Sequence, residues 1–202
     1  MQELESYLEK NFKGFDITDS FIDYLQTLHI ELEDGHYQLD EYEETNPLYF
    51  NAVYTSAKQI LHDLIGDQDE LFFVFQTIKE RDHRFKRVSL IDKFTNDRVL
   101  SSKLKFSKIN RDNNEIHQIY ISCKKSDLKI EYLIRAICNQ DFPNLEPRLK
   151  RYYGRAPEIF IINKTTDCIL HFYDDRGCFI LTRSDEKFEQ YKDKYKKMIL
   201  EE

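Results

Sequence analysis

Residues 171–180 read HFYDDRGCFI, and Tyr173, Asp174, Asp175, Arg176 and Gly177 are the part of the chain closest to a reactive constellation. Two carboxylates beside a guanidinium could bind a phosphoester, stabilise its charge and activate water. A hydrolase using Asp174, Asp175 and Arg176 is therefore one reading. Adjacent carboxylates need not converge as an acid/base pair does, however, and a hairpin tip lacks the walls that exclude water from a reaction centre. A tight turn explains the same residues more simply. Asp174 opens it, Asp175 and Arg176 sit at the bend in solvent, and Gly177 takes positive φ at the last position. A neutral turn would close the hairpin equally well, so the charges are surplus to geometry and fit recognition of a charged partner. On that reading the binding residues are Tyr173, Asp174, Asp175, Arg176 and Gly177, joined by Lys164 from a neighbouring loop. An ion pair from the turn to Lys164 or Asp167 is expected if those loops lie close.

No other chemistry competes. The six histidines, at 29, 36, 62, 83, 117 and 171, form no zinc-spaced pair with each other or with cysteine. His171 shares a strand face with Ile169 and Tyr173, where a satisfied, partly buried histidine is expected. There is no dinucleotide or phosphate-binding glycine loop and no nucleophile elbow. No catalytic residue, metal site or cofactor is assigned. Cys123, Cys138, Cys168 and Cys178 are widely spaced, which reads as four buried thiols in a reducing compartment.

The elements that hold the turn are the clearest in the chain. Glu158–Ile162, Cys168–Tyr173 and Cys178–Thr182 read as three short strands whose brief loops force an antiparallel meander. A final helix, capped by Ser184, carries Phe188, Tyr191, Tyr195, Met198 and Ile199 on one stripe. Upstream, residues 2–12 form an amphipathic helix, a second helical piece passes through Phe21, Tyr24 and Leu25, and residues 28–33 alternate as a half-buried strand ended at Asp34-Gly35. Asn46-Pro47 starts a helix that Gly66 ends. Residues 71–78 read as a central strand, 116–123 as another, and Ser126 as the cap of a helix through Ile130, Leu133, Ile134 and Ile137. Residues 80–115 show no clean period, with Val99, Leu104 and Phe106 assigned to short strands. The whole reads as α+β: a mostly antiparallel sheet with packed helices, one domain spanning 1–202 with residues 1–26 as a helical extension.

The 202 residues carry a net charge of −7 and five glycines, with no apolar run near the roughly 20 residues of a membrane span and no secretory leader at the start. A cytoplasmic location is expected. Charge is segregated: residues 1–80 carry a net −14, residues 81–155 a net +9 and the remainder −2. The thirds of a small domain lie close, so these fields partly cancel; the acidic surface nevertheless suits a protein partner with a basic surface. Basic and aromatic residues mix at 81–87 and 147–155, as in proteins that bind nucleic acid, but an overall isoelectric point near 5.5 weighs against that.

The ending FIINKTTDCILHFYDDRGCFILT, followed by an amphipathic helix, resembles a bacterial family of about this length known only as a domain of unknown function and common in low-GC Gram-positive bacteria. Its marks are an N-K-T turn, here Asn163-Lys164-Thr165, then an apolar strand, then Tyr173-Asp174-Asp175-Arg176-Gly177. HIELEDG and NPLYFNAVYTSAKQILHDLIGDQDELFFVF are also similar to it. The resemblance spans most of the chain, but only the C-terminal motif is specific. It implies a bacterial cytosolic protein, favours the binding-surface reading and supplies no activity. The expectation is a non-enzymatic interaction protein, regulatory or immunity-like; phosphoester hydrolysis and nucleic-acid binding through 81–155 are the alternatives.

Overall fold

The computed structural model describes residues 3–80, 93–96, 98–111, 114–151 and 154–200. The basic run 81–87 and Tyr152-Tyr153, singled out in the sequence, lie outside them. In chain order the elements are α1 (Glu3–Asn11), β1 (Thr27–Glu31), α2 (Pro47–Leu64), β2 (Glu70–Glu80), β3 (Lys105–Arg111), β4 (Asn114–Lys124), α3 (Ile130–Cys138), β5 (Glu158–Asn163), β6 (Cys168–Phe172), β7 (Gly177–Thr182) and α4 (Asp185–Tyr195).

The strands form one seven-stranded sheet in the order β1-β7-β6-β5-β2-β4-β3, each neighbour antiparallel. The fold is α+β, and the meander β5-β6-β7 is followed directly by α4, as expected. β2 lies between β5 and β4 and is buried along its apolar length, which its unbroken LFFVF requires. Strand alternation splits the apolar residues between two cores. Leu71, Phe73 and Phe75 face α2, α3 and α4; Phe72 and Val74 face α1 and the segment through Phe12, Phe15, Ile17 and Phe21. Each large side chain buried this way is worth about 1.5–3 kcal/mol.

Local signals set the starts of α2 and α4. Asn46 accepts from the Leu48 amide at 3.0 Å with Pro47 at the first helical position, and Ser184 accepts from the Lys187 amide. Other helix ends follow tertiary demands. Gly66 follows the end of α2, but it is Ile65 that leaves helical space, at φ −129, and its carbonyl accepts from the buried Lys125 ammonium at 2.8 Å. Ser126 caps nothing: it sits in a single 3-10 turn, and α3 begins after Lys129 without a side-chain cap. Val99 belongs to a 3-10 helix, Arg98–Lys103, and Leu104 to its connection; of the three residues assigned to short strands only Phe106 is in one. Residues 21–23 make a 3-10 turn, leaving Leu25 exposed.

The C-terminal stripe also departs from expectation. α4 stops at Tyr195, and the chain then runs along the free side of β1: the Glu31 amide donates to Met198 O at 2.7 Å and the Leu200 amide to His29 O at 3.0 Å. An open strand edge leaves amides and carbonyls unpaired, so Met198 and Ile199 serve that edge instead of extending the helix. Among the described residues no helix is long and apolar enough to cross a membrane, and the four cysteines are free, buried thiols. Burial pushes Cys123 and Cys168 up to about 12, which makes them poor nucleophiles.

Candidate functional site

The Tyr173–Arg176 connection joins β6 to β7 with Phe172 opposite Cys178. Its geometry differs from the solvent-facing tip expected of it. Asp175 is 2% exposed. Its Oδ2 accepts from the Tyr49 hydroxyl at 2.9 Å and from Gln38 Nε2 at 2.5 Å. The turn lies beneath the first turn of α2 and the loop before it, and that cover carries Asp175 into the interior. Burial raises the Asp175 carboxyl above its ordinary range, against the lowering effect of its two hydrogen-bond donors. Asp174 is buried as well. Its Oδ1 accepts from the Arg176 amide at 2.8 Å, closing an Asx turn, and its Oδ2 accepts from Arg176 Nε and Nη2 at 2.9 and 2.5 Å. Of the turn's three charged side chains only the Arg176 guanidinium is exposed, held by Asp174, which raises its pKa.

Gly177 is required for a reason other than φ. Among the described glycines only Gly14 and Gly154 have positive φ. A Cβ on Gly177 would be driven into the Tyr173 hydroxyl and the Ile30 carbonyl oxygen. The glycine therefore permits β1 and the Tyr173 ring to close over the start of β7. Tyr173 Oη in turn lies 2.9 Å from His29 Nε2 on β1, and its main-chain carbonyl accepts from Gln140 Nε2 at 2.5 Å. Burial is the main cause that raises the Tyr173 phenol, with Asp174 adding to it.

Lys164 is not part of this cluster. It stands at the opposite end of β6, in the turn after β5, where Nζ meets Ser122 Oγ at 2.8 Å and Glu70 at 3.2 Å above the Phe72 ring. The ion pairs expected between the two turns do not form: Arg176 pairs with Asp174, and Asp167 with Arg183 at 3.1 Å. The N-K-T turn has its own logic. Asn163 Oδ1 accepts from the amides of Thr165 and Thr166, while Nδ2 donates to Leu64 O at 3.1 Å and Asp69 Oδ2 at 2.7 Å. One buried amide thus ties the end of α2, the start of β2 and the β5-β6 turn together.

The carboxylates at 174 and 175 are each engaged by their own donors, Arg176 for Asp174, and Tyr49 and Gln38 for Asp175. Among the described residues no group of three or more His, Cys, Asp or Glu side chains could hold a metal ion. Through Gln38 and Tyr49 the turn ties down the start of α2 and the loop 33–46. That loop is a hydrogen-bonded hairpin of its own. Leu39 bridges Thr45, Asp40 exchanges main-chain bonds with Glu44 and Glu43, and Asp40 Oδ1 accepts from the Tyr42 and Glu44 amides. Asn144 Nδ2 donates to Thr45 Oγ1 at 3.1 Å from the far side. On this ordered frame Tyr37 is 87% and Tyr42 77% exposed, with Leu39 and Leu48 beside them. Asp34, Asp40, Glu41, Glu43 and Glu44 surround them, all exposed. Between Lys13 and Lys58 the sequence holds ten acids and no lysine or arginine.

Gln38, Tyr49 and Gln140 escaped the sequence reading, and His29 entered it only as one of six histidines. Tyr49 contacts Asp175 across 126 residues, and no local pattern reports such a partner. The clue present was compositional: two tyrosines in a run of acids without a base.

Residues 4–202 match the model of a family described as Domain of unknown function (DUF3885). The Uncharacterized protein YnaE of Bacillus subtilis (strain 168) is 27% identical over 202 residues, covering 95% of this chain and 94% of that protein. No solved structure matches.

Proposed function

The chain belongs to the DUF3885 family, and from the geometry above we propose that it is a non-enzymatic interaction domain that presents the loop 33–48 to a protein with a basic surface. The observation that carries this reading is the exposure of Tyr37, Leu39, Tyr42 and Leu48 on a hairpin already ordered by its own hydrogen bonds and ringed by carboxylates. Large aromatic side chains left in water on a rigid frame lose little entropy on binding, and the acids around them favour basic partners and speed encounter. The Tyr173–Gly177 turn supports the surface from beneath: Asp175 holds Gln38 and Tyr49, which flank it. We take the whole chain as one domain, because α1 and the 12–21 segment supply one wall of the second core. Buried thiols suit a reducing, cytoplasmic setting.

The test is affinity capture with cross-linking, comparing the natural chain with the triple variant Glu41→Lys, Glu43→Lys, Glu44→Lys. These side chains are exposed, so thermal stability should be unchanged. A basic protein held by the natural chain at low salt, released by salt and lost from the variant is the expected result. Identical capture by both proteins would refute the reading.

A further inference from the structure

On the sheet face that packs against α1, a row of polar side chains interrupts the apolar pattern. Gln118 Nε2 donates to Gln76 Oε1 at 2.8 Å, and Gln76 Nε2 donates to Glu158 Oε2 at 2.6 Å, across β4, β2 and β5. Both glutamines are buried. Glu158, His171 and Tyr173 line an open surface cleft of about 320 Å³ together with Gln140, Asp141 and, from the connection to β5, Arg151 and Arg155. That volume falls at the lower end of small-molecule sites, on the order of 300–1,000 Å³.

His171 is the informative member. It is 7% exposed, with its ring stacked on Phe160 and Phe21 at 4.4 and 5.4 Å. Nδ1 lies 3.0 Å from Ile159 O. A carbonyl only accepts, so Nδ1 carries the proton, and burial keeps the ring neutral. The lone pair of Nε2 is then the remaining polar function of a ring that lines the cleft. An apolar ring would fill this stack without the desolvation cost. At the rim, Arg151 pairs with Asp141 at 2.6 Å, and Arg155 is exposed, with no ionic partner among the described residues.

We propose that this cleft binds a small organic anion that also carries a hydroxyl, the hydroxyl donating to His171 Nε2 and the anionic group meeting Arg155 and Arg151. Hydroxycarboxylates and hydroxyl-bearing phosphate monoesters share that chemistry. The site is separate from the 33–48 surface and does not rest on it.

The experiment follows the His171 ring signal by NMR in the histidine-labelled full chain, with the signal assigned by its loss in His171→Gln. Lactate and β-glycerophosphate are titrated separately, with acetate and sulfate as anions lacking a carbon-borne hydroxyl. A saturable shift with lactate identifies a carboxylate ligand, and one with β-glycerophosphate a phosphate ligand. Arg155→Gln should loosen that binding at least about tenfold, the loss of one charge-assisted hydrogen bond, with thermal stability unchanged. Acetate and sulfate should bind more weakly than the hydroxylated probe. Absence of a saturable shift with both hydroxylated probes, equal binding by Arg155→Gln, or equal binding of acetate or sulfate would each overturn the proposal.

Discussion

The Tyr49 hydroxyl donates to Asp175 Oδ2 at 2.9 Å, joining the first turn of α2 to the hairpin between β6 and β7, and Gln38 adds a second bond to the same oxygen. Replacing Asp175 with Ala leaves both donors without this acceptor in a buried site. The expected loss is about 1–3 kcal/mol, the usual penalty for orphaned buried donors. Asp175→Asn, which retains an acceptor oxygen, should lose less. Urea denaturation ranks the two variants, and limited proteolysis should cut the 33–46 loop faster in Asp175→Ala.

Two carboxylates should leave opposite marks on the pH dependence of stability. The folded-state pKa of Asp175 is raised by burial, so its contribution is complete below the unfolded value and is lost as pH rises through the folded one. Glu115 is held down to about 2, chiefly by Lys108 and then His117. Its contribution is complete above its ordinary value and is lost as pH falls toward 2. Relative to Asp175→Asn the natural protein should therefore weaken as pH rises from about 4. Relative to Glu115→Gln it should weaken as pH falls. Denaturation curves for the three proteins across the acidic range test both signs.

Gly177→Ala should destabilise by about 1–3 kcal/mol through overpacking. The added methyl meets the Ile30 carbonyl, which β1 pairing holds in place, and the Tyr173 hydroxyl, which can swing away only by leaving His29. In the double variant Gly177→Ala, Tyr173→Phe the clash with the main chain remains, so most of the loss should persist. Full recovery would show that the tyrosine alone requires the glycine.

Asn163→Ala removes four hydrogen bonds from one buried amide and should cost about 2–4 kcal/mol. Asn163→Asp should cost more near neutrality. It sets a carboxylate against Leu64 O and Asp69, where the amide now donates. Thermal melts of the two variants decide the order; a milder Asp variant would mean that Asp69 moves away.

The meander, α2 and the central β2 could be read directly from the chain because each depends on neighbours in sequence. Short loops force β5, β6 and β7 together, Asn46-Pro47 starts a helix wherever it stands, and LFFVF needs both faces covered. The 3-10 turn at 98–103 and the uncapped start of α3 gave no such signal, since packing and not capping places them. Met198 and Ile199 continue the helical period of α4, yet the exposed edge of β1 claims them.

The sequence by itself determined where the chain turns, which residues are apolar on each strand and that the first third is strongly acidic, because turns, alternation and charge are properties of adjacent residues. Only the tertiary structure decided that Asp175 is inside and Arg176 outside, that Gly177 is needed for a neighbour's approach and not its own φ, and that Lys164 lies a strand's length from the turn it was grouped with. Those outcomes depend on Tyr49, Gln38, Ile30 and His29, which arrive from distant positions, and burial is a property of what arrives.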